Sequence, residues 1–155
     1  MKRILTAFMA MALILTASAA FAANPQTVTV TIAEVNALTI AGSPSLTVNA
    51  AVAGSDPTPA TDSSSSYTIT TNGSGKKIQA HNDSAMPANT TLSANRAAVA
   101  PGTSSGTVVL TTTDQALETG LANTKGTGSI TYTLSATIAA TPFSGTRLVT
   151  FTITN

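Results

Sequence analysis

Residues Gly128 to Ala139 read G-S-I-T-Y-T-L-S-A-T-I-A and form the most regular stretch of the chain. Every second side chain is apolar and those between are Ser or Thr; the apolar set is Ile130, Tyr132, Leu134, Ala136 and Ile138. Because successive side chains of a β-strand point to opposite faces, this alternation predicts a strand with one buried and one solvated face. The stretch therefore favours a β fold.

The same period of two recurs along the chain. The first such stretch is residues 26–33, whose apolar face consists of Val28, Val30 and Ile32. The last lies near residue 150, and its apolar face consists of Val149, Phe151 and Ile153. Shorter strands are predicted at 38–40, 46–50, 67–71, 76–81 and 107–112. A hairpin turn is predicted at 72–75, and a loop that holds one short strand at 82–103. One helical turn is predicted at 114–121.

Residues 1–22 have the layout of a secretory signal peptide. Lys2 and Arg3 provide a positive start, an apolar run follows, and Ala20-Phe21-Ala22 is a small-x-small cleavage site. The apolar run is short for a membrane span and no basic stop follows it, which disfavours a membrane anchor. We expect an exported chain that begins at Ala23 and is not inserted in a membrane. Its predicted location is the periplasm, the cell surface or the extracellular space.

Composition excludes several classes of function. The chain has no cysteine, one histidine and only 8% charged residues, so zinc sites built from Cys and several His are impossible, as are cysteine nucleophiles. Without residues 1–22, five basic and six acidic residues remain, a net charge of −1. This near-neutral chain is not typical of nucleic-acid binding, and its low self-repulsion favours association between copies. We expect a protein that is not an enzyme and that has no cofactor and no metal site.

Residues 23–155 are predicted to form one domain. Thr and Ser account for 43 of these 133 residues, and β-branched Thr suits the solvated face of a sheet. Seven to eight short strands at this spacing, without a helix long enough for a crossover, predict an all-β, immunoglobulin-like β-sandwich. A small β-barrel is the alternative.

Three pairs of polar residues are candidates for chemistry: His81 with Asp83, Asp56 with Asp62, and Asp114 with Glu118. The first pair offers metal ligands, the second offers oxygens for calcium, and the third offers two carboxyl groups. Calcium takes six to eight oxygens, which the second pair does not approach. For the first two pairs we favour structural roles, namely a histidine at a loop edge and acids within a loop. Asp114 and Glu118 are explained equally well as an acid pair or as an acid at the start of a helical turn and a solvated glutamate.

Aromatic side chains decide whether a sugar-binding platform is feasible, because sugar rings stack on aromatic faces. Tyr132 and Phe151 lie on the apolar faces of their strands and are predicted to fill the core. Tyr67 and Phe143 remain as the candidate ligand contacts.

Three stretches together resemble secreted bacterial pilin-like proteins. Residues 27–32 (T-V-T-V-T-I) look like the N-terminal donor segment of chaperone–usher pilins, and residues 66–78 are similar to the central hairpin of the cysteine-free alternate, or colonisation-factor, class. Residues 143–154 look like the closing strand of those subunits and of spore-coat-U-like proteins. The resemblance implies a structural subunit of a surface fibre or matrix.

The resemblance also implies partners and a mechanism. Partners would be a second copy or a related surface subunit, and a periplasmic chaperone. In strand donation, a sandwich that lacks one strand receives the N-terminal segment of a neighbour. Val28, Val30 and Ile32 would then enter together the open hydrophobic groove left by the missing strand. Two alternatives stay open: the segment is the domain's own first strand, or the protein is a monomeric binding module for carbohydrate or a cell-surface ligand.

Overall fold

The structure is a computed structural model that describes residues 23–155; the predicted signal peptide, residues 1–22, lies outside the described residues. The described residues divide into the segment 23–31 and a second unit, residues 32–155, and all their strands lie in the second unit. They are β1 Asn36–Ala41, β2 Ala60–Thr71, β3 Lys76–Asn82, β4 Thr90–Arg96, β5 Thr103–Ser104, β6 Thr107–Val109, β7 Gln115–Leu121, β8 Thr124–Ala136 and β9 Val149–Thr154.

The strands form a β-sandwich of two antiparallel sheets. The larger sheet has the order β1-β2-β8-β4-β6 and the smaller the order β5-β7-β3-β9. The sheets are not closed into a barrel. The predicted sandwich is confirmed, although the described residues hold nine strands and not seven or eight.

The core lies between the sheets and follows the alternation of the sequence. Ile130 and Tyr132 of β8 meet Tyr67 and Ile69 of the neighbouring β2, and each is no more than 5% exposed. The smaller sheet contributes its own fully buried side chains, namely Ile78, Ala80, Leu117 and Leu121. The outer face of β8 carries the Ser and Thr residues between the buried positions, as its period of two predicts.

Antiparallel pairing gathers the strand ends at two poles. Asn36 pairs with Thr71 and Thr71 with Thr124, and we call this end the root pole. At the opposite end Thr90 pairs with Ala136. We call that end the loop pole, because the connections 42–59, 83–89 and 137–148 lie there.

Several local predictions are wrong. Residues 26–33 form no strand, because no strand of the described residues pairs with them along their backbone. Residues 46–50 also lie outside the strands, beside an isolated bridge from Ala51 to Pro57. Residues 114–121 form β7 and not a helical turn. The 72–75 turn exists, with Gly75 at a φ of 68°, but it links β2 to β3 across the two sheets and closes no hairpin.

Candidate functional site

The N-terminal arm, which we define as residues 23–32, exposes three apolar side chains at alternate positions. The exposed fractions of Val28, Val30 and Ile32 are 70%, 83% and 91%. Full burial of one such side chain is worth about 1.5–3 kcal/mol, so burial of all three against a partner would favour association. The arm therefore has the alternation of a strand without a strand's partner.

The residues that follow the arm are held firmly at the root pole. The backbone N–H of Val35 donates to Asn72 Oδ1 at 2.7 Å, and Asn72 Nδ2 donates to the carbonyl of Ala33 at 2.9 Å. The backbone N–H of Asn72 donates in turn to the carbonyl of Val35. Backbone pairing therefore continues past β1 to Val35, and the Asn72 side chain holds Ala33, the residue that directly follows the arm.

An ion pair reinforces the same anchor. Lys76 Nζ lies 2.6 Å from Glu34 Oε1 and also donates to Asn155 Oδ1. The hydrogen bond from Lys76, followed by that from Asn36, holds the pKa of Glu34 below its ordinary value. Because Lys76 opens β3 and Asn155 directly follows β9, one side chain ties together the entry to β1 and the end of β9.

The edges of the two sheets leave an apolar seam between β1 and β9. Each strand is hydrogen-bonded on one side only, since β1 ends the larger sheet and β9 ends the smaller. Their inward side chains are only partly covered, in contrast to the core: Ile40 is 36% exposed, and Leu38, Val149, Phe151 and Ile153 are intermediate. A sandwich edge with partly exposed apolar residues is suited to receiving another strand.

A separate cleft of about 720 Å³ lies at the loop pole. One wall is the segment 46–51 and the other is the segment 140–145, with Leu134 and Ala136 of β8 among the lining residues. Neither wall belongs to a strand. We refer to the seam and the cleft together as the groove.

Of the two predicted ligand contacts, the structure leaves one accessible. Phe143 is 44% exposed and lines the cleft, with the Arg147 guanidinium 5.9 Å from its ring centre. Tyr67 is only 1% exposed, so its prediction as a ligand contact is wrong. Its strand alternates Tyr67, Ile69 and Thr71 on the inner face, and that parity was the signal for burial.

Tyr67 belongs instead to a buried polar cluster that the sequence analysis missed. Its hydroxyl donates to the carbonyl of Ala97 at 2.6 Å and lies 3.1 Å from Glu118 Oε2. Arg96 Nη2 is 3.1 Å from the same oxygen, and its guanidinium carbon is 3.4 Å from the Tyr67 ring centre. Val99 N–H donates to Glu118 Oε1 at 2.8 Å.

This cluster contains the most deeply buried charges of the described fold. The side chains of Arg96 and Glu118 are both 0% exposed. Although Arg96 Nη2 is close enough to pair in charge with Glu118, its three guanidinium nitrogens have no hydrogen bond of good geometry. Burial lowers the pKa of Arg96 and raises that of Tyr67. The prediction of Glu118 as a solvated residue is wrong, and so is its pairing with Asp114.

The other candidate residues have local structural contacts. His81 Nδ1 lies 2.7 Å from Asp114 Oδ1, so its partner is Asp114 and not Asp83. Asp56 accepts the backbone N–H of Ile138, and Asp62 accepts those of Ser45 and Ser64. Hydrogen bonds from Ser64 and Ser45 lower the pKa of Asp62. Within residues 23–155, no three His, Cys, Asp or Glu side chains gather as metal ligands would.

Comparisons with known proteins add no relative. No protein-family model, curated protein or solved structure matches this chain. In the part of the chain that the structure describes, no helix has the length and apolar character needed to cross a membrane.

Proposed function

We propose that the protein is a secreted, non-enzymatic subunit of a bacterial surface fibre or matrix, assembled when the arm of one copy adds a strand in the groove of the next. The observation that carries the proposal is the arm itself: three apolar side chains at alternate positions, 70–91% exposed and not paired with any strand of residues 23–155. Exposure of these side chains to water is unfavourable in a monomer.

The dimensions of the arm and the groove support the proposal. The ten residues 23–32 span at most about 33 Å when extended, and the six residues of β9 span about 20 Å. Val28, Val30 and Ile32 have the same two-residue spacing as Val149, Phe151 and Ile153 on β9. One added strand would therefore pair with the free edge of β9 and place three apolar side chains beside three partly exposed ones.

The energy available is sufficient for a stable contact. Burial of three such side chains is worth on the order of 5–9 kcal/mol, before the cost of ordering the arm and joining two molecules. Main-chain hydrogen bonds to the edge of β9 add affinity, and the alternate side chains determine the register. A periplasmic chaperone that covers the groove before assembly is part of this proposal, because an open apolar edge invites aggregation.

The test is deletion of residues 24–33, followed by addition of a synthetic peptide of that sequence. We expect the truncated protein to form no fibres in electron micrographs, to remain folded, and to gain thermal stability when the peptide binds. The peptide with Val30→Asp should not bind, whereas the peptide with Thr29→Asp, which carries the same charge on the opposite face, should still bind.

Three results would contradict strand donation. Fibres formed by the truncated protein would show that the arm is dispensable. Unfolding of the truncated monomer would show that the segment is the domain's own strand. A folded truncated protein that ignores the peptide would leave the groove without its proposed occupant.

The second candidate function is a monomeric binding module for carbohydrate, and the position of Phe143 favours it. The ring lies in a cleft whose lining residues carry no charged side chain. Phe143→Ala should abolish retention on a polysaccharide resin under this alternative, whereas under the first proposal the parent protein itself should not be retained.

A further inference from the structure

Two basic side chains distinguish the root pole: Lys77 is half-buried and Lys125 is exposed. Lys77 lies near the start of β3, where it pairs with Thr154, and Lys125 lies near the start of β8, where it pairs with Thr70. Lys76 is also here, but Glu34 neutralises it at 2.6 Å. The root pole therefore carries a net charge of about +2 from Lys77 and Lys125.

The loop pole has the opposite charge. Its acidic side chains lie in or beside the long connections, and Arg147 is its basic residue; the acids are Asp56, Asp62, Asp83 and Asp114. With His81 neutral, these groups give a net charge of −3. Arg96 and Glu118 contribute nothing to either pole, because they are buried together. A nearly neutral chain is thus strongly polarised along its strands.

Exposed apolar side chains are also concentrated at the loop pole. Ile138, Leu148 and Val52 are 85%, 66% and 68% exposed, and all three lie in the connections that form this pole. Ile138 lines the cleft together with Phe143. Apolar residues rimmed by polar ones are typical of a protein interaction surface.

We propose that the loop pole of one copy docks on the root pole of the next, with aspartates facing lysines, as a second contact between subunits beside the donated strand. The partner is a second copy of this chain, because its root pole supplies the complementary charge. Two different surfaces at opposite ends make a head-to-tail contact, which extends into a filament when the rotation does not close a ring. This inference extends the proposed function.

The stacked arrangement also assigns a direction to the donated arm. The arm is attached at the root pole, where Asn72 holds Ala33, so it meets the neighbour at that neighbour's loop pole, where the cleft opens. Ile32 would lie nearest the cleft, with Val28 farther along the groove. The arm would then run from the root pole to the loop pole of the acceptor, antiparallel to β9, which runs the other way.

The test measures association between copies of the exported protein by sedimentation and light scattering. Charge attraction between the poles is screened by salt, since the Debye length falls from about 30 Å at 0.01 M to about 3 Å at 1 M. We expect the association rate to fall about tenfold or more over this range. The double variant Lys77→Gln/Lys125→Gln should associate slowly even at low salt.

A matched control separates the poles from the total charge. The variant Ser129→Glu/Thr131→Glu changes the net charge by the same amount, but on the outer face of β8 near the middle of the strand, and should associate like the parent protein. Equal effects of the two double variants, association insensitive to salt, or no association at any salt would overturn the pole contact. Binding of the 24–33 peptide tests strand donation separately. If the peptide binds but the pole test fails, strand donation is supported and the pole contact is not. If the pole test succeeds but the peptide does not bind, the pole contact is supported and strand donation is not.

Discussion

Replacing Glu118 by Gln tests the most deeply buried interaction of the fold. The change keeps the size of the side chain and an oxygen that accepts the Val99 N–H, now at 2.8 Å from Glu118. It removes the negative charge that lies 3.1 Å from Arg96. Because both side chains are 0% exposed, water cannot solvate the guanidinium that is left unpaired.

The expected loss of stability follows from this burial. Removing one partner of a buried ion pair costs about 3–5 kcal/mol, a large share of the roughly 5–15 kcal/mol that stabilises an ordinary domain. For a fold of this size, each kcal/mol lowers Tm by about 3–5 °C, so Glu118→Gln should lower Tm by about 10–20 °C. Calorimetry and urea unfolding of the parent and the variant provide the measurement.

A double variant shows whether charge is the cause. Arg96→Met/Glu118→Gln removes both charges while keeping the amide oxygen, and it should recover most of the lost stability, since replacing a buried ion pair by groups of similar shape is often nearly neutral. The reasoning is refuted if Glu118→Gln costs less than about 1 kcal/mol, or if the double variant is no more stable than the single one.

Three other predictions concern pH, packing and processing. Burial raises the pKa of Tyr67, and that of Tyr132 to about 12, so the contribution of both to stability should be complete below about pH 10 and lost at higher pH, for Tyr132 as pH rises through about 12. Tyrosinate absorbance during alkaline unfolding reports on both residues, and ionisation before unfolding would contradict the prediction. A Cβ at Gly128 would lie 2.5 Å from both the Ala97 carbonyl oxygen and Tyr67 Cε1. Gly128→Ala should therefore lower the free energy of unfolding in urea by about 1–3 kcal/mol, whereas Gly145→Ala should leave it unchanged. N-terminal sequencing of exported protein should begin at Ala23, and an intact Met1 would contradict cleavage.

The sequence predicts this fold best where alternation and a partner coincide. The pattern around Ile130 and Tyr132 identified β8 because that strand is covered on one face and solvated on the other. The identical pattern at 26–33 predicted a strand that does not form, since alternation describes a face and not the neighbour that must cover it. Which strands pair depends on the whole chain. The local signal at 72–75 predicts the turn, but it does not show that the two strands joined by the turn lie in different sheets.

The buried ion pair was missed for a different reason. Leu92, Ala94 and Arg96 share one face of β4, and that parity places Arg96 inward. The charge of an arginine argues for exposure, and only the matching carboxylate of Glu118 makes burial feasible. The predicted helical turn at 114–121 places Glu118 in solvent, so the sequence does not pair it with Arg96. The groove was predicted only as an implication of the resemblance, because an open edge is a property of two sheets and not of any one segment.

The position of β9 in the smaller sheet constrains when the protein can fold. Ile153 pairs with Ile78, and the central strand of the larger sheet, β8, is also among the last to be made. A chain that leaves a ribosome or a translocation channel with its N-terminus first therefore has neither sheet complete until nearly all its residues have emerged. Such long-range pairing slows folding. Until both sheets can form, the chain stays unfolded, and an unfolded chain is narrow enough to pass through a translocation channel. Slow folding of this topology is therefore compatible with passage across a membrane.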